Sequence, residues 1–103
     1  MIKVSLLART KIFALNIIKL AESLSDSRTG RIFGNQLLRS GTLVGANYRA
    51  ACCSKSAKDF INKLKIVEEE TDETIYWLEL LEEAGLRSKD DCKYRLKTAQ
   101  DTG

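Results

Sequence analysis

The sequence predicts an all-α fold, an antiparallel up-down four-helix bundle whose fourth helix is short. Apolar residues recur at spacings of three and four along three long segments, the period of a helix with one buried face. The chain has no proline and shows no strand-like alternation of apolar and polar residues. Its 103 residues fit a single domain, residues 1–103. The short turns between segments make consecutive helices antiparallel neighbours.

The first helix is predicted from Val4 to Leu24. Its apolar stripe runs through Phe13, Ile17, Leu20 and Leu24, at i, i+4, i+7 and i+11. The following segment, residues 25–30, contains serine, aspartate, threonine and glycine, which are turn and cap residues. These residues end the first helix.

The second helix is predicted from Thr29 to Cys53. It contains four glycines, each costing about 1 kcal/mol relative to alanine, so it depends on tertiary contacts. Gly41 and Gly45 lie four residues apart on one face, where they allow another backbone to come close. The rest of the stripe is formed by Phe33, Leu37, Val44 and Tyr48.

The third helix has the clearest limits. Ser56 followed by Asp59 matches an N-cap with an acid three residues later, and Gly85 matches a glycine that ends a helix. The span corresponds to about 43 Å of helix, which indicates an extended bundle. A short, mostly polar fourth helix is predicted from Ser88 to about Thr98.

Antiparallel pairing of the second and third helices across a turn near Ser54 sets their register. Arg39 falls opposite residues 69–71, so the sequence predicts a buried ion pair with Glu70 or Glu73. The alternative is that all three side chains point to water. Asn47 falls near Lys63. The predicted structural polar network consists of Arg39, Asn47, Glu70 and Glu73.

Composition argues against an enzyme. Histidine is absent, which removes the usual catalytic base and the imidazole ligands of zinc sites. The three cysteines form no CxxC pattern and are interpreted as reduced thiols. The acidic run of residues 68–73 lacks the Glu-x-x-His motifs of carboxylate di-metal bundles. We expect no catalytic residues, no metal and no cofactor.

No run of the sequence approaches the roughly 20 apolar residues that cross a membrane. The N-terminus starts with basic and apolar residues, but Lys11, Asn16 and Lys19 interrupt the apolar run and no cleavage site follows. A cytoplasmic protein without a membrane partner is therefore predicted.

Charge is distributed unevenly. Residues 1–55 carry nine Lys/Arg against two Asp/Glu, a net +7, whereas residues 56–103 carry eight against twelve, a net −4. The basic half predicts a surface for phosphate groups; the alternative is that these residues only keep the helices soluble. The candidate nucleic-acid-binding residues are Lys11, Lys19, Arg28, Arg31, Arg49 and Lys55.

Two blocks of sequence resemble a known family. The stretches Gln36–Arg49 and Ser56–Leu81, with Arg39-Ser40-Gly41, Asn47 and the acids Glu70 and Glu73, look like the bacterial four-helix bundle proteins encoded in intervening sequences of 23S rRNA genes. The same family includes the accessory variability protein of diversity-generating retroelements. The resemblance covers about residues 5–86. The chain departs from the family in its short fourth helix and in the Ala50–Cys53 end of the second helix.

The resemblance implies an up-down four-helix bundle that assembles into a ring, typically a pentamer. In the retroelement relative, the ring is basic and works with a reverse transcriptase and nucleic acid. We therefore expect a non-enzymatic, oligomeric scaffold or accessory factor that binds structured RNA or DNA, or a ribonucleoprotein. The alternative is a protein–protein interaction module without nucleic-acid binding, docking on apolar surface that a short fourth helix leaves uncovered.

Overall fold

The structure, a computed structural model, describes the backbone of residues 2–86 and the side chains of residues 5–86. In that range the fold is all-α, with α1 at Ile2–Ser23, α2 at Arg28–Cys52 and α3 at Ala57–Ala84, and no strand. The predicted limits of these three helices agree to within two residues. The predicted fourth helix, from Ser88 to Thr98, lies outside the described residues.

Serines begin α2 and α3, as side-chain caps. The hydroxyl of Ser27 accepts a hydrogen bond from the Gly30 amide at 3.0 Å, and that of Ser56 accepts one from the Asp59 amide at 3.1 Å. Gly85 ends α3 in the left-handed conformation, with φ 72°, which a glycine adopts without strain. The Leu86 amide then donates to the Leu81 carbonyl at 3.1 Å, closing the C-terminal turn.

Helix α2 is central and packs against both other helices. Gly45 of α2 lies against Thr10 and Gly34 against Ala21, so α1 and α2 run antiparallel. The pairs Phe33–Trp77 and Ser40–Thr74 make α2 and α3 antiparallel as well. In the described residues, no Cα of α1 comes within 8 Å of a Cα of α3.

The core lies where the three helices converge, and the stripes predicted from sequence supply it. Gly41 allows the closest approach of α1, because a Cβ atom added there would lie 2.8 Å from Cγ2 of Ile17. The fully buried apolar side chains are Phe13, Ile17, Leu20, Leu37, Val44, Leu78 and Leu81. Among residues 2–86, no helix combines the length and the apolar character that membrane crossing requires.

Candidate functional site

Positive charge collects at one end of the bundle. The first half of α1, the end of α2 and the start of α3 lie side by side there, because the helices alternate in direction. We call residues 5–11 and 46–66 the basic end. They carry seven Lys/Arg against one Asp, a net +6, while described residues 12–45 and 67–86 carry four Lys/Arg against ten Asp/Glu, a net −6. The basic end is thus positively charged, whereas the rest of the described chain is negatively charged by the same amount.

Most cations of the basic end are available to a ligand. Lys63 already forms an ion pair, because its ammonium donates to the Asp59 carboxylate at 2.9 Å. That bond, with a second from Ser54, lowers the pKa of Asp59 below its ordinary value. Five other cations are exposed and form no ion pair with a described residue, namely Lys11, Arg49, Lys55, Lys58 and Lys65.

Lys11 and Arg49 line the same groove between α1 and α2. Its volume is about 540 Å³, and small apolar residues form much of its wall, with Ala14 from α1 and Ala46 from α2. No acidic residue lines it. An anion entering this groove meets two cations from different helices beside an apolar surface.

The remaining predicted cations lie elsewhere. Arg31 borders a smaller depression of about 230 Å³ at the opposite end of the same seam, where it pairs with Asp26 at 3.0 Å. Lys19 and Arg28 are exposed and lie outside the basic end. The fold therefore brings together Lys11, Arg49 and Lys55 of the six candidates, and it separates Lys19, Arg28 and Arg31 from them.

The six candidates chosen from the sequence leave out the contribution of α3 to this surface. Lys58 and Lys65 belong to the C-terminal half, whose overall charge is negative. Their cationic segment, residues 58–65, precedes the acidic run of residues 68–73 within one helix. Counting charges turn by turn along the third helix would have separated these lysines from the acids that follow. The antiparallel topology would then have placed them beside Lys11 and Arg49.

Few aromatic side chains are accessible near these cations. Tyr48 is only 8% exposed, and burial, together with the hydrogen bond to Cys52, raises its pKa above the ordinary value. Phe60, 39% exposed, is the large aromatic group of the basic end that reaches solvent. Tyr76 and Trp77 lie beyond it, beside the acidic run, and the indole of Trp77 donates to Glu73 at 3.1 Å.

Arg39 links α2 to α3. Its guanidinium pairs with Glu70 at 3.3 Å and with Glu73, and it also donates to Gln36 at 3.2 Å. Both acids named by the register argument are therefore partners. The expected burial is wrong, because the Arg39 side chain is 43% exposed. The outward side of the α2–α3 seam is open enough for water to reach the guanidinium.

Asn47 does not join that network. Its amide donates to the carbonyl of Leu43, one turn back in the same helix, at 2.9 Å. Lys63, its expected neighbour across the seam, is engaged by Asp59. Among the residues that the structure describes, no three His, Cys, Asp or Glu side chains cluster as a metal site would require.

Comparison with known proteins identifies a family and a similar solved structure. The family model described as 23S rRNA-intervening sequence protein matches residues 3–103. A solved structure, a protein of unknown function from the S23 ribosomal protein family of Bacteroides thetaiotaomicron VPI-5482, is 33% identical in sequence. The alignment covers 99% of this chain and 91% of that one, with a TM-score of 0.93. No curated protein matches.

Proposed function

Because this chain belongs to the 23S rRNA-intervening sequence protein family, we propose that it is a non-enzymatic accessory protein or scaffold that binds structured RNA or DNA. The observation that carries this proposal is the basic end, with its net +6 and its five exposed cations that form no ion pair with another described residue. The family's name associates these proteins with 23S rRNA genes, and a phosphate-binding surface is compatible with that association.

The proposed mechanism is electrostatic. Lysine and arginine side chains displace counterions from the phosphate backbone, and the released ions supply the free energy of binding. Lys11 and Arg49 would hold one phosphate group at the mouth of the α1–α2 groove, and Lys55 and Lys58 would contact the adjoining backbone. A homo-oligomeric ring, a pentamer by family resemblance, would multiply weak contacts through avidity. The protein would act in the cytoplasm.

A protein-interaction module is the second candidate. The observation that favours it is an apolar ridge on the outer side of α1, where Ile12, Leu15 and Ile18 are 54%, 50% and 37% exposed. Exposed apolar side chains that lie together on a surface often mark a protein–protein interaction site. Such a partner would bind through α1 and would not depend on the cations of the basic end.

Light scattering across a salt series, with and without a structured RNA, tests the proposal. We expect an oligomer that gains RNA mass at low salt and loses it at high salt, because counterion release weakens as salt rises. Lys11→Glu combined with Arg49→Glu should abolish the gain. Lys19→Glu with Arg28→Glu makes the same charge change outside the basic end and should largely retain it.

Two outcomes would contradict the proposal. RNA binding that is unchanged between low and high salt would exclude the phosphate mechanism. An oligomer that ignores RNA at every salt concentration would exclude nucleic-acid binding and favour the protein-interaction module. Helical circular dichroism of each variant checks that a loss of binding is not a loss of fold.

A further inference from the structure

We infer that the basic end reads double-stranded nucleic acid through its phosphates, without stacking bases and without regard to sequence. This inference rests on the proposed function and specifies the class of nucleic acid that the site accepts. It follows from three features of the described residues: the scarcity of accessible aromatics, the clustering of the free cations and the position of the acidic run.

The first feature is the scarcity of stacking groups. Proteins that hold single strands gain about 1–3 kcal/mol for each base stacked on an aromatic side chain. At the basic end Tyr48 is buried, and Phe60 alone among its aromatics is exposed, at 39%. Tyr76 is 53% exposed but lies on α3 within the acidic segment, where phosphates are repelled. The site therefore lacks the platform that single-strand binding requires.

The second feature is that the cations lie at one end of the bundle and come from separate elements. Lys11 belongs to α1, Arg49 to α2, Lys55 to the turn, and Lys58 and Lys65 to α3. A duplex presents one phosphate per about 1.7 Å of its axis, against about 3.4 Å for one strand. Five cations that three elements and a turn present at one end of the bundle can thus meet more phosphates on a duplex than on a single strand.

The third feature sets the direction of approach. Glu68 and Glu69 follow Lys65 within about one turn of α3, and Asp72 lies a turn further on. A nucleic acid running along α3 would meet these carboxylates, since like charges at this distance cost free energy. A duplex that lies across the basic end, perpendicular to α3, avoids these carboxylates. Most of the exposed polar side chains of the basic end are lysines and arginines, which favours recognition of the phosphate backbone.

Fluorescence anisotropy of labelled oligonucleotides tests the inference. The probes are duplex DNAs of about 20 base pairs in two unrelated sequences, and unstructured oligo-dT of equal length. We expect both duplexes to bind alike and about tenfold more tightly than oligo-dT. The logarithm of affinity should fall with the logarithm of salt with a slope of about −4, for up to five phosphate contacts.

Two substitutions distinguish phosphate contact from stacking. Lys58→Gln with Lys65→Gln should flatten the salt slope by about one unit per lysine, whereas Lys19→Gln, an equally exposed lysine outside the site, should leave it unchanged. Phe60→Ala should change the affinity for either probe by less than about twofold, because no base stacks on this ring. Melting curves verify that each variant stays folded.

The results separate the inference from the proposed function. Tighter binding of oligo-dT than of duplex, or a loss of tenfold or so with Phe60→Ala, would overturn duplex recognition while leaving nucleic-acid binding in place. A marked preference for one of the two duplexes would overturn sequence-independent reading. Failure of every probe to bind at low salt would overturn the proposed function itself.

Discussion

The two seams of α2 are built from different chemistry. Towards α1 the helix presents glycines, and Gly41 is in such close contact with Ile17 that an added Cβ has no room. Towards α3 it presents polar groups: the buried hydroxyl of Ser40 receives a hydrogen bond from Thr74 at 2.8 Å, and Arg39 meets two carboxylates. One seam is thus specified by shape and the other by pairing. The first seam should tolerate no added volume at Gly41, its closest approach, and the second should be sensitive to the loss of one partner of a polar pair.

The largest contrast should appear between two glycines of the α1 seam. Gly41→Ala gains helix propensity but forces Ile17 to move, because overpacking a full core costs about 1–3 kcal/mol. We expect a net loss of about 1–2 kcal/mol in the free energy of unfolding. Gly34→Ala is the matched control, since its Cβ would lie 3.7 Å from the nearest atom, and it should stabilise the protein by up to about 1 kcal/mol. Urea denaturation measures both; stabilisation by Gly41→Ala would show that this seam is loose.

The hydroxyl pair of the α3 seam should show coupling. Ser40→Ala removes the acceptor of Thr74 inside the core, where both residues are fully buried, and should cost about 1 kcal/mol. Ser40→Ala combined with Thr74→Val replaces both hydroxyls with apolar groups and should cost less than the sum of the single changes. A double-mutant cycle in urea gives the coupling free energy. Strict additivity would mean that each hydroxyl is satisfied by its own helix carbonyl alone.

The ion pairs at the outer edge of the same seam should contribute less. Arg39 is 43% exposed, so water screens its attraction to Glu70 and Glu73, and exposed pairs are worth up to about 1 kcal/mol. Arg39→Met should lower the free energy of unfolding by less than this amount, and the difference should shrink in high salt. Lys19→Met, an exposed cation outside any ion pair of the described residues, is the control. An Arg39→Met loss that salt leaves unchanged would indicate packing of the arginine stem instead of charge.

The smallest effect should be the pH dependence of the Asp59–Lys63 pair at the start of α3. The folded-state pKa of Asp59 lies below its ordinary value of 3.8. Its stabilising effect is therefore complete above about pH 4 and is lost as the pH falls through the lower folded-state pKa. Asp59→Asn should melt slightly below wild type near neutral pH, and the two melting temperatures should converge at about pH 2. A gap that persists at acid pH would assign the effect to capping geometry instead of charge.

The sequence was sufficient for α1, α2 and α3 and for the register of α2 against α3, because these features depend on local rules. Ser56 and Gly85 mark the limits of α3 by their own backbone chemistry, and short turns oblige α2 and α3 to run antiparallel. That placement identified Glu70 and Glu73 as partners of Arg39. The exposure of Arg39 was not predictable, since it depends on how far the α2–α3 seam opens. Asn47 was misassigned because its own helix offered a nearer acceptor in Leu43.

The candidate site was only partly predictable for a related reason. A charge count by halves of the chain identifies Lys11 and Arg49, which lie in the positive half. It does not identify Lys58 and Lys65, because the acids that follow them make the net charge of their half negative. The uneven distribution of charge in space arises from topology, because the first half of α1, the end of α2 and the start of α3 lie at the same end of the bundle. The groove that Lys11 and Arg49 share depends on small residues of two helices and is visible only after packing.

The central position of α2 determines how the structure should open. Because α1 and α3 have no Cα atoms within 8 Å of each other in the described residues, each of them packs its backbone closely only against α2, although both contribute side chains to the shared core. Opening of α1 or α3 alone leaves one face of α2 covered. Amide protons in the middle of α2, near Leu37 and Val44, should then be the last to exchange with deuterium, since their exposure requires both seams to separate. Mass spectrometry of exchanging peptides would show whether peptides of α1 and α3 exchange before those of α2.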